Sequence, residues 1–289
     1  MSEDIRAGLS GSRALVIAGA RLKVAGVDTP GRDARKLLAY ALKSSVDHLT
    51  LVLPEPLSAA DAARFVQAIK DRAKRKPVSL ITGTRAFFGH EFTVTADVLD
   101  PRPETETLVT AALRENFENL LDLGCGSGCI LLSLLAERPG ARGLGVDVSA
   151  RAIAVARDNA QRLGLSARAS FARSDWLSAV DGRFDLIVAN PPYISAPQMR
   201  DLEPEVALWD PEIALNGGAD GLAAYRAIIA QLSHRLPARG RFMVETGPSQ
   251  SGAVSAMMAG AGFGDIAVTQ DLDGRDRVVT GYRIANSAA

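Results

Sequence analysis

Leu120-Leu121-Asp122-Leu123-Gly124-Cys125-Gly126-Ser127-Gly128 reads as a strand that runs into a glycine turn and then a helix. Glycine admits positive φ and lets another group come close to the backbone. The unpaired N–H groups at a helix start attract a carboxylate or a phosphate. The spacing is G-x-G-x-G and differs from the G-x-G-x-x-G of dinucleotide-binding folds. Alone, the stretch also fits a plain tight turn. A second strand, Gly143-Leu144-Gly145-Val146-Asp147, ends in an acid 23 residues after Gly124. A carboxylate there is placed to grip both hydroxyls of a ribose. The competing role is to cap the next helix, which Ser149 can do instead. Glycine turn and acid together point to a cofactor that contains a nucleoside.

Outward from this pair, strands are predicted at 119–123, 143–147, 169–173, 184–189 and 241–246, with further ones near 265–269 and 277–284. Helices fall between several of them, for example 149–163 and 220–236. Such alternation predicts an α/β domain, a mostly parallel sheet with helices on both faces, whose ligands bind at the carboxyl ends of the strands. The third strand is followed by Ser174-Asp175-Trp176. Asp175 can accept from an exocyclic adenine amine and Trp176 can cover the ring, or the pair can be loop packing.

The fourth strand runs into Asn190-Pro191-Pro192-Tyr193. A planar nitrogen, amide or aromatic amine, is a poor nucleophile because its lone pair is delocalised. The Asn190 side-chain oxygen and the Pro191 carbonyl can accept its two hydrogens, the prolines hold φ, and Tyr193 offers a flat face. A proline-rich turn after a buried strand is the plainer alternative. Beside a nucleoside cofactor, this clamp points to methyl transfer from S-adenosylmethionine, in which a protein mainly positions and desolvates.

Ahead of the α/β pattern, residues 1–75 read as helical, with Ala34, Leu37, Leu38, Ala41 and Leu42 on one face. Breaks at Gly26–Gly31 and Leu53–Pro56 divide them into a small bundle. Phe87-Phe88-Gly89, then Phe92 and Val94 at period two, predict a β-hairpin. The partition is a helical substrate-docking domain at 1–75, a hairpin linker at 76–100 and a catalytic domain at 101–289.

The chain has 289 residues, 47% hydrophobic and 23% charged, with zero formal net charge. The whole molecule therefore carries no nucleic-acid or membrane signature. The distribution is uneven: residues 1–85 hold 15 Lys/Arg against 8 Asp/Glu, and residues 86–289 hold 18 against 25. A basic front, including Lys74-Arg75-Lys76, suits an acidic or RNA-associated partner. Cys125 and Cys129 have no zinc spacing and make no disulfide framework, and His48, His90 and His234 are scattered, so no metal site is expected. The start, Met1-Ser2-Glu3-Asp4, has no signal-peptide character. The expectation is a cytoplasmic protein and, with no heptad or apolar patch, a monomer.

Taken together, Pro101-Arg102-Pro103-Glu104-Thr105-Glu106, the Asp122–Gly128 turn, Asn190–Tyr193, the stretch Ala214–Leu222 and Asp271–Arg277 resemble the HemK family, the N5-glutamine methyltransferases of peptide chain release factors. The resemblance spans nearly the whole chain. It implies a seven-stranded class I S-adenosylmethionine-dependent methyltransferase domain (Rossmann-like), preceded by a small helical domain and a β-hairpin linker. It implies cofactor contacts at Gly124, Cys125, Gly126, Ser127, Gly128, Asp147, Trp176 and Asn190, beside the Asp175 read above. It implies that the substrate glutamine meets Asn190, Pro191, Pro192 and Tyr193, and that Phe87 or Phe88, with Phe88 preferred, borders the pocket. The implied substrate is the glutamine of a Gly-Gly-Gln motif in class 1 release factors, with no direct nucleic-acid contact. Asp100 and Asp210 stand where the family more often has an aliphatic residue and Glu. Rivals are a glutamine methyltransferase of a ribosomal protein, a DNA amino-methyltransferase and a non-catalytic module with the same fold. The DNA enzyme needs a flipped base and a basic groove, against which the acidic 86–289 half counts.

Overall fold

The protein is described here by a computed structural model covering residues 4–284. Met1 to Glu3, most of the start inspected for a signal peptide, and the last residues of the 101–289 partition lie outside the described residues. Contacts divide the chain into two units. One runs to Thr84 and includes Glu203–Trp209; the other comprises Arg85–Leu202 and the chain from Asp210 onward.

The first unit is helical: α1 (Gly11–Val24), α2 (Pro30–Ala41), α3 (Leu49–Val52), α4 (Ala59–Ala73) and α5 (Val78–Thr82). Ser10 and Ser58 cap α1 and α4 by accepting from the N–H groups of Arg13 and Asp61, and Pro30 opens α2, where its missing N–H costs nothing. Ala14, Ala18 and Leu22 from α1, Leu37 and Leu38 from α2, and Phe65 and Ile69 from α4 close a single apolar core. α5 packs on α2 and α4, so the helical unit extends past residue 75 into what the sequence suggested as linker.

Segment 203–209 belongs to this unit because charges hold it there. Arg72 donates to Asp33 at 2.7 Å and to Glu205 at 3.0 Å, Arg75 donates to Glu205 at 2.6 Å, and Lys76 Nζ stands 5.5 Å from the Trp209 ring. Burial pushes the Glu205 carboxyl up, but the hydrogen bonds from the two arginines outweigh it and hold its pKa below the ordinary range. Of the basic run Lys74-Arg75-Lys76, Arg75 and Lys76 thus have partners inside the unit, and Lys74 is exposed.

The second unit, from Arg85, takes in the hairpin β1 (Thr84–Phe87) and β2 (His90–Thr93), whose first residue is counted with the helical unit. Phe88 and Gly89 both have positive φ, 46° and 76°, as a two-residue primed turn requires. The elements that follow are α6 (Glu106–Ala112), β3 (Asn119–Leu123), α7 (Cys129–Glu137), β4 (Arg142–Asp147), α8 (Ala150–Arg162), β5 (Ala169–Arg173), β6 (Leu186–Ala189), α9 (Pro204–Trp209, counted with the helical unit), α10 (Ala223–Ile229), β7 (Arg241–Glu245), α11 (Ser251–Gly260), β8 (Phe263–Gln270) and β9 (Asp276–Arg283).

The sheet order is β5-β4-β3-β6-β7-β9-β8, parallel except for β9, which runs antiparallel to both neighbours. Alternate residues face opposite layers. Leu120, Leu186, Val188 and Met243 pack with α6, α7 and α8, while Leu121, Leu123, Ile187 and Val244 pack with α10 and α11. Burial on both faces explains why the central strands read as unbroken apolar runs. The strand order reverses between β3 and β6, so a crevice opens at their carboxyl ends. Among the described residues, no helix is long and apolar enough to cross a membrane, and no group of His, Cys, Asp and Glu is placed to hold a metal.

Candidate active site

At that reversal lies a cavity of about 480 Å³, within the range of small-molecule sites. Its floor is the glycine turn. Gly124, Gly126 and Gly128 have φ of 71°, 53° and 79°, so each takes a conformation that disfavours a side chain. The N–H groups of Gly124 and Cys125 donate to the Val146 carbonyl at 2.8 and 2.9 Å, tying the turn to β4. A Cβ on Gly126 would meet nothing within 4 Å, so its face is open, whereas one on Gly128 would press on Ala156 and Leu132 at 3.2 Å. Gly128 is a packing residue at the head of α7 and does not line the cavity.

Asp147 ends β4 and lines the cavity. Its Oδ2 accepts from Gly126 N–H at 3.0 Å and its Oδ1 from Ser149 N–H at 2.9 Å. Ser149 itself caps α8 by accepting from Ala152 N–H at 3.2 Å, so the capping role falls to the serine. The Trp176 ring lies 3.5 Å from where a Gly124 Cβ would stand and forms a wall over the turn; its φ is +48°, a conformation that a bulky residue holds only under tertiary constraint. Asp175 is exposed and also lines the cavity. Backbone N–H groups at a helix start, the cavity-lining carboxylates of Asp147 and Asp175 and an aromatic wall suit a nucleoside with an amino-acid tail, so the residues present fit S-adenosylmethionine.

Behind the turn, Asp122 is fully buried. Burial pushes its carboxyl up to about 7, against the Leu131 N–H that donates to it at 3.2 Å and lowers it, with Asp147 raising it further. The folded form therefore binds a proton more tightly than the unfolded chain, and stability from this group is lost as pH rises from about 4 through about 7. About three pKa units correspond to at most about 4 kcal/mol. The wild type is expected to lose stability between pH 4 and 8 relative to Asp122→Asn, measured by urea unfolding across that range. Parallel pH profiles for the two proteins would contradict it. Burial likewise raises both thiols, that of Cys129 to about 12, so neither is a thiolate near neutrality.

Asn190 follows β6 and lines the cavity. Its Nδ2 donates to Thr105 Oγ1 at 3.2 Å, and among the described residues no hydrogen bond reaches its Oδ1. Pro192 also lines the cavity, while Pro191 is buried beneath it. Tyr193 does not line the cavity: it packs against the core layer under α10 and α11, and its phenol pKa is raised by burial. Phe88 does not line it either; with its φ of +46° and its N–H donated to Glu106 at 2.9 Å, it packs against the other core layer, where Phe87 is fully buried.

The stretch Ala214–Leu222 holds the tetrapeptide in place. Ile194 N–H donates to Leu215 at 3.0 Å and Gly217 N–H returns to Ile194 at 2.8 Å. A Cβ on Gly221 would lie 2.5 Å from the Tyr193 carbonyl and one on Gly217 would lie 2.8 Å from that of Pro192, so this close approach requires glycine. Gln250 Nε2 donates to the Tyr193 carbonyl at 2.9 Å and to that of Gly221 at 3.2 Å. Sequence reasoning singled out neither Gln250 nor Thr105. Thr105 sits inside the Pro101–Glu106 string, which was the available signal; Gln250 carried none.

The Methyltransferase small domain model matches residues 95–203, and the PrmC N-terminal domain model matches residues 13–83. A release factor glutamine methyltransferase of Cereibacter sphaeroides is 51% identical over 90% of this chain and 94% of its own length. One of Rhodospirillum rubrum is 46% identical over 92% and 82%. Among solved structures, a methyltransferase from Pyrococcus furiosus shares the fold at a TM-score of 0.54 and 14% identity, over 69% of this chain and 92% of its own. The hMettl16 catalytic domain does so at 0.57 and 16%, over 79% and 83%. The protein is an enzyme, an S-adenosylmethionine-dependent methyltransferase of class I fold. With such identity carried over nearly the full length of both chains, it belongs to the family of release factor glutamine methyltransferases.

Proposed function

We propose that the protein transfers a methyl group from S-adenosylmethionine to the side-chain amide nitrogen, N5, of the glutamine in the Gly-Gly-Gln motif of class 1 peptide chain release factors. The observation that carries this reading is Asn190: its Nδ2 is committed to Thr105 at 3.2 Å, which leaves Oδ1 as the atom that meets a ligand in the cavity. S-adenosylmethionine supplies a methyl group on a sulfonium leaving group. Asn190 Oδ1 and the Pro191 carbonyl accept the two amide hydrogens, turning the nitrogen lone pair toward the methyl carbon. Asp147 takes the ribose hydroxyls, the Gly124–Gly128 turn takes the amino-acid end, and Trp176 with Asp175 takes the adenine. Pro192 shapes the glutamine slot, and Tyr193 and Phe88 support its backbone from the core side. The proton displaced from nitrogen leaves to water after transfer.

The helical unit docks the release factor through its basic surface; the domain works as a monomer in the cytoplasm without direct nucleic-acid contact. Support comes from the excess of 15 Lys/Arg over 8 Asp/Glu in residues 1–85 and from the opposite imbalance in the remainder. Because Arg75 and Lys76 have partners within the unit, the exposed Arg32, Lys43, Lys70 and Lys74 are the ones to reverse; a raised KM for the release factor at low salt is expected, and an unchanged KM removes the docking role.

The test of the reaction is mass spectrometry of a purified release factor incubated with the protein and S-adenosylmethionine. One added methyl on the Gly-Gly-Gln peptide is expected. An unmodified peptide with cofactor bound would shift the substrate to a ribosomal protein glutamine, and next to a nucleic-acid amine.

A further inference from the structure

Asn190 can clamp an amide only if its own amide is turned the right way. With Oδ1 toward the cavity it accepts the substrate hydrogens; turned by 180° it would present two donors to two donors. What sets that choice lies behind it. Thr105 Oγ1 is 3.2 Å from Asn190 Nδ2, and Thr105 is only 2% exposed. The Thr105 hydroxyl stands beside the carboxyl of Glu245 and lowers its pKa; Glu245 is 1% exposed at the end of β7. Among the described residues, Glu245 Oε2 is buried with no hydrogen-bond partner.

The proton count closes in one way. A threonine hydroxyl has one hydrogen to give and lone pairs to receive. An ionised Glu245 only accepts, so the hydroxyl hydrogen goes to it. The oxygen then turns lone pairs to Asn190, and only an N–H can satisfy them. We infer that Thr105 and Glu245 form a hydrogen-bond relay that fixes the orientation of the Asn190 amide, and that both are positioning residues for methyl transfer. The inference rests on the assignment of Asn190 as the amide clamp.

The relay has a direction that depends on charge. Glu245 is faced by Arg277 from β9, by Arg102 and Glu104 from the segment before α6, by Tyr193 after β6, by Tyr225 from α10 and by Cys129 from α7. Burial pushes its carboxyl up to about 7, with Glu104 raising it and Thr105, Arg277 and Arg102 lowering it. When protonated, Glu245 becomes a donor, the Thr105 hydrogen is free to turn toward Asn190, and the clamp loses its bias.

The experiment compares Thr105→Val, Thr105→Ser and Glu245→Gln in the full-length protein. The readouts are methylation of the Gly-Gly-Gln peptide of a purified release factor and S-adenosylmethionine Kd by calorimetry. Valine keeps the shape and removes the hydroxyl, and kcat is expected to fall roughly 10- to 100-fold with Kd within about threefold. Serine restores most of the rate. The wild type is expected to lose kcat on the acidic side of neutrality, and in Glu245→Gln, whose side-chain oxygen still accepts but does not titrate, that fall is expected to disappear. Should valine disturb the packing, read as a lowered Tm, Thr105→Ala against Thr105→Ser asks the same question. An unchanged kcat in Thr105→Val, equal losses in valine and serine variants, or an unaltered pH profile in Glu245→Gln overturns the relay. Asn190→Ala with near-normal turnover is a different failure, that of the clamp itself.

Discussion

Asn190→Ala is expected to lower kcat for glutamine methylation about a thousandfold while S-adenosylmethionine Kd stays within about threefold. The factor corresponds to about 4 kcal/mol of transition-state stabilisation. The amide nitrogen of glutamine reaches the methyl carbon with its lone pair free only if both of its hydrogens are held elsewhere. Among the described residues, no hydrogen bond reaches Asn190 Oδ1, the side-chain acceptor at this point of the cavity. The alanine variant retains the glycine turn, Asp147 and Trp176, which are held by contacts that do not involve Asn190. Single-turnover methylation at saturating cofactor, with calorimetry for Kd, separates the two effects. Near-normal turnover would remove the clamp from the mechanism; a loss confined to Kd would make Asn190 a cofactor ligand only.

Asp147→Ala produces the complementary pattern: Kd for S-adenosylmethionine rises about a hundredfold, or about 2.7 kcal/mol, and kcat at saturation changes little. Hydrogen bonds to a charged group contribute about 1.5–3 kcal/mol each, and the carboxylate loses two roles at once. The ribose grip proposed for it is removed, and it no longer accepts from Gly126 and Ser149 at 3.0 and 2.9 Å, contacts that hold the glycine turn in its positive-φ form. Asp147→Asn keeps acceptor capacity for one of those N–H groups and is expected to lie between the wild type and alanine. Calorimetric titration with cofactor decides it; a Kd within threefold of wild type for alanine would leave Asp147 as a turn residue alone.

The strands carried the clearest signal. Those read at 119–123 and 169–173 match β3 and β5 residue for residue, and 143–147 misses only Arg142 of β4. Central parallel strands are apolar on both faces, and each is punctuated by the glycine or acid that ends it. Boundaries driven by tertiary contact were harder to read. The helix read at 220–236 breaks after Ile229 into a separate short turn at Leu232–His234. The segment 203–209 looks like ordinary loop until Arg72 and Arg75, more than 120 residues earlier, are seen on Glu205. For the same reason two of the three residues of a basic run that looks available for docking, Arg75 and Lys76, are already occupied.

By itself the sequence determined which residues gather at the strand ends: a glycine turn, an acid, an aromatic and the Asn190–Tyr193 tetrapeptide, in that order, because each local step of a parallel α/β sheet deposits its loop at the same edge. Only the tertiary structure decided which of those side chains face the cavity. Tyr193, Phe88 and Gly128 turn into packing, since the contacts that capture them come from elements far away in the chain. It also decided what stands behind the clamp. Thr105 lies 85 residues before Asn190, and Glu245 lies 55 residues after it. Three separate strand and helix ends must meet before one hydroxyl proton has a single place to go.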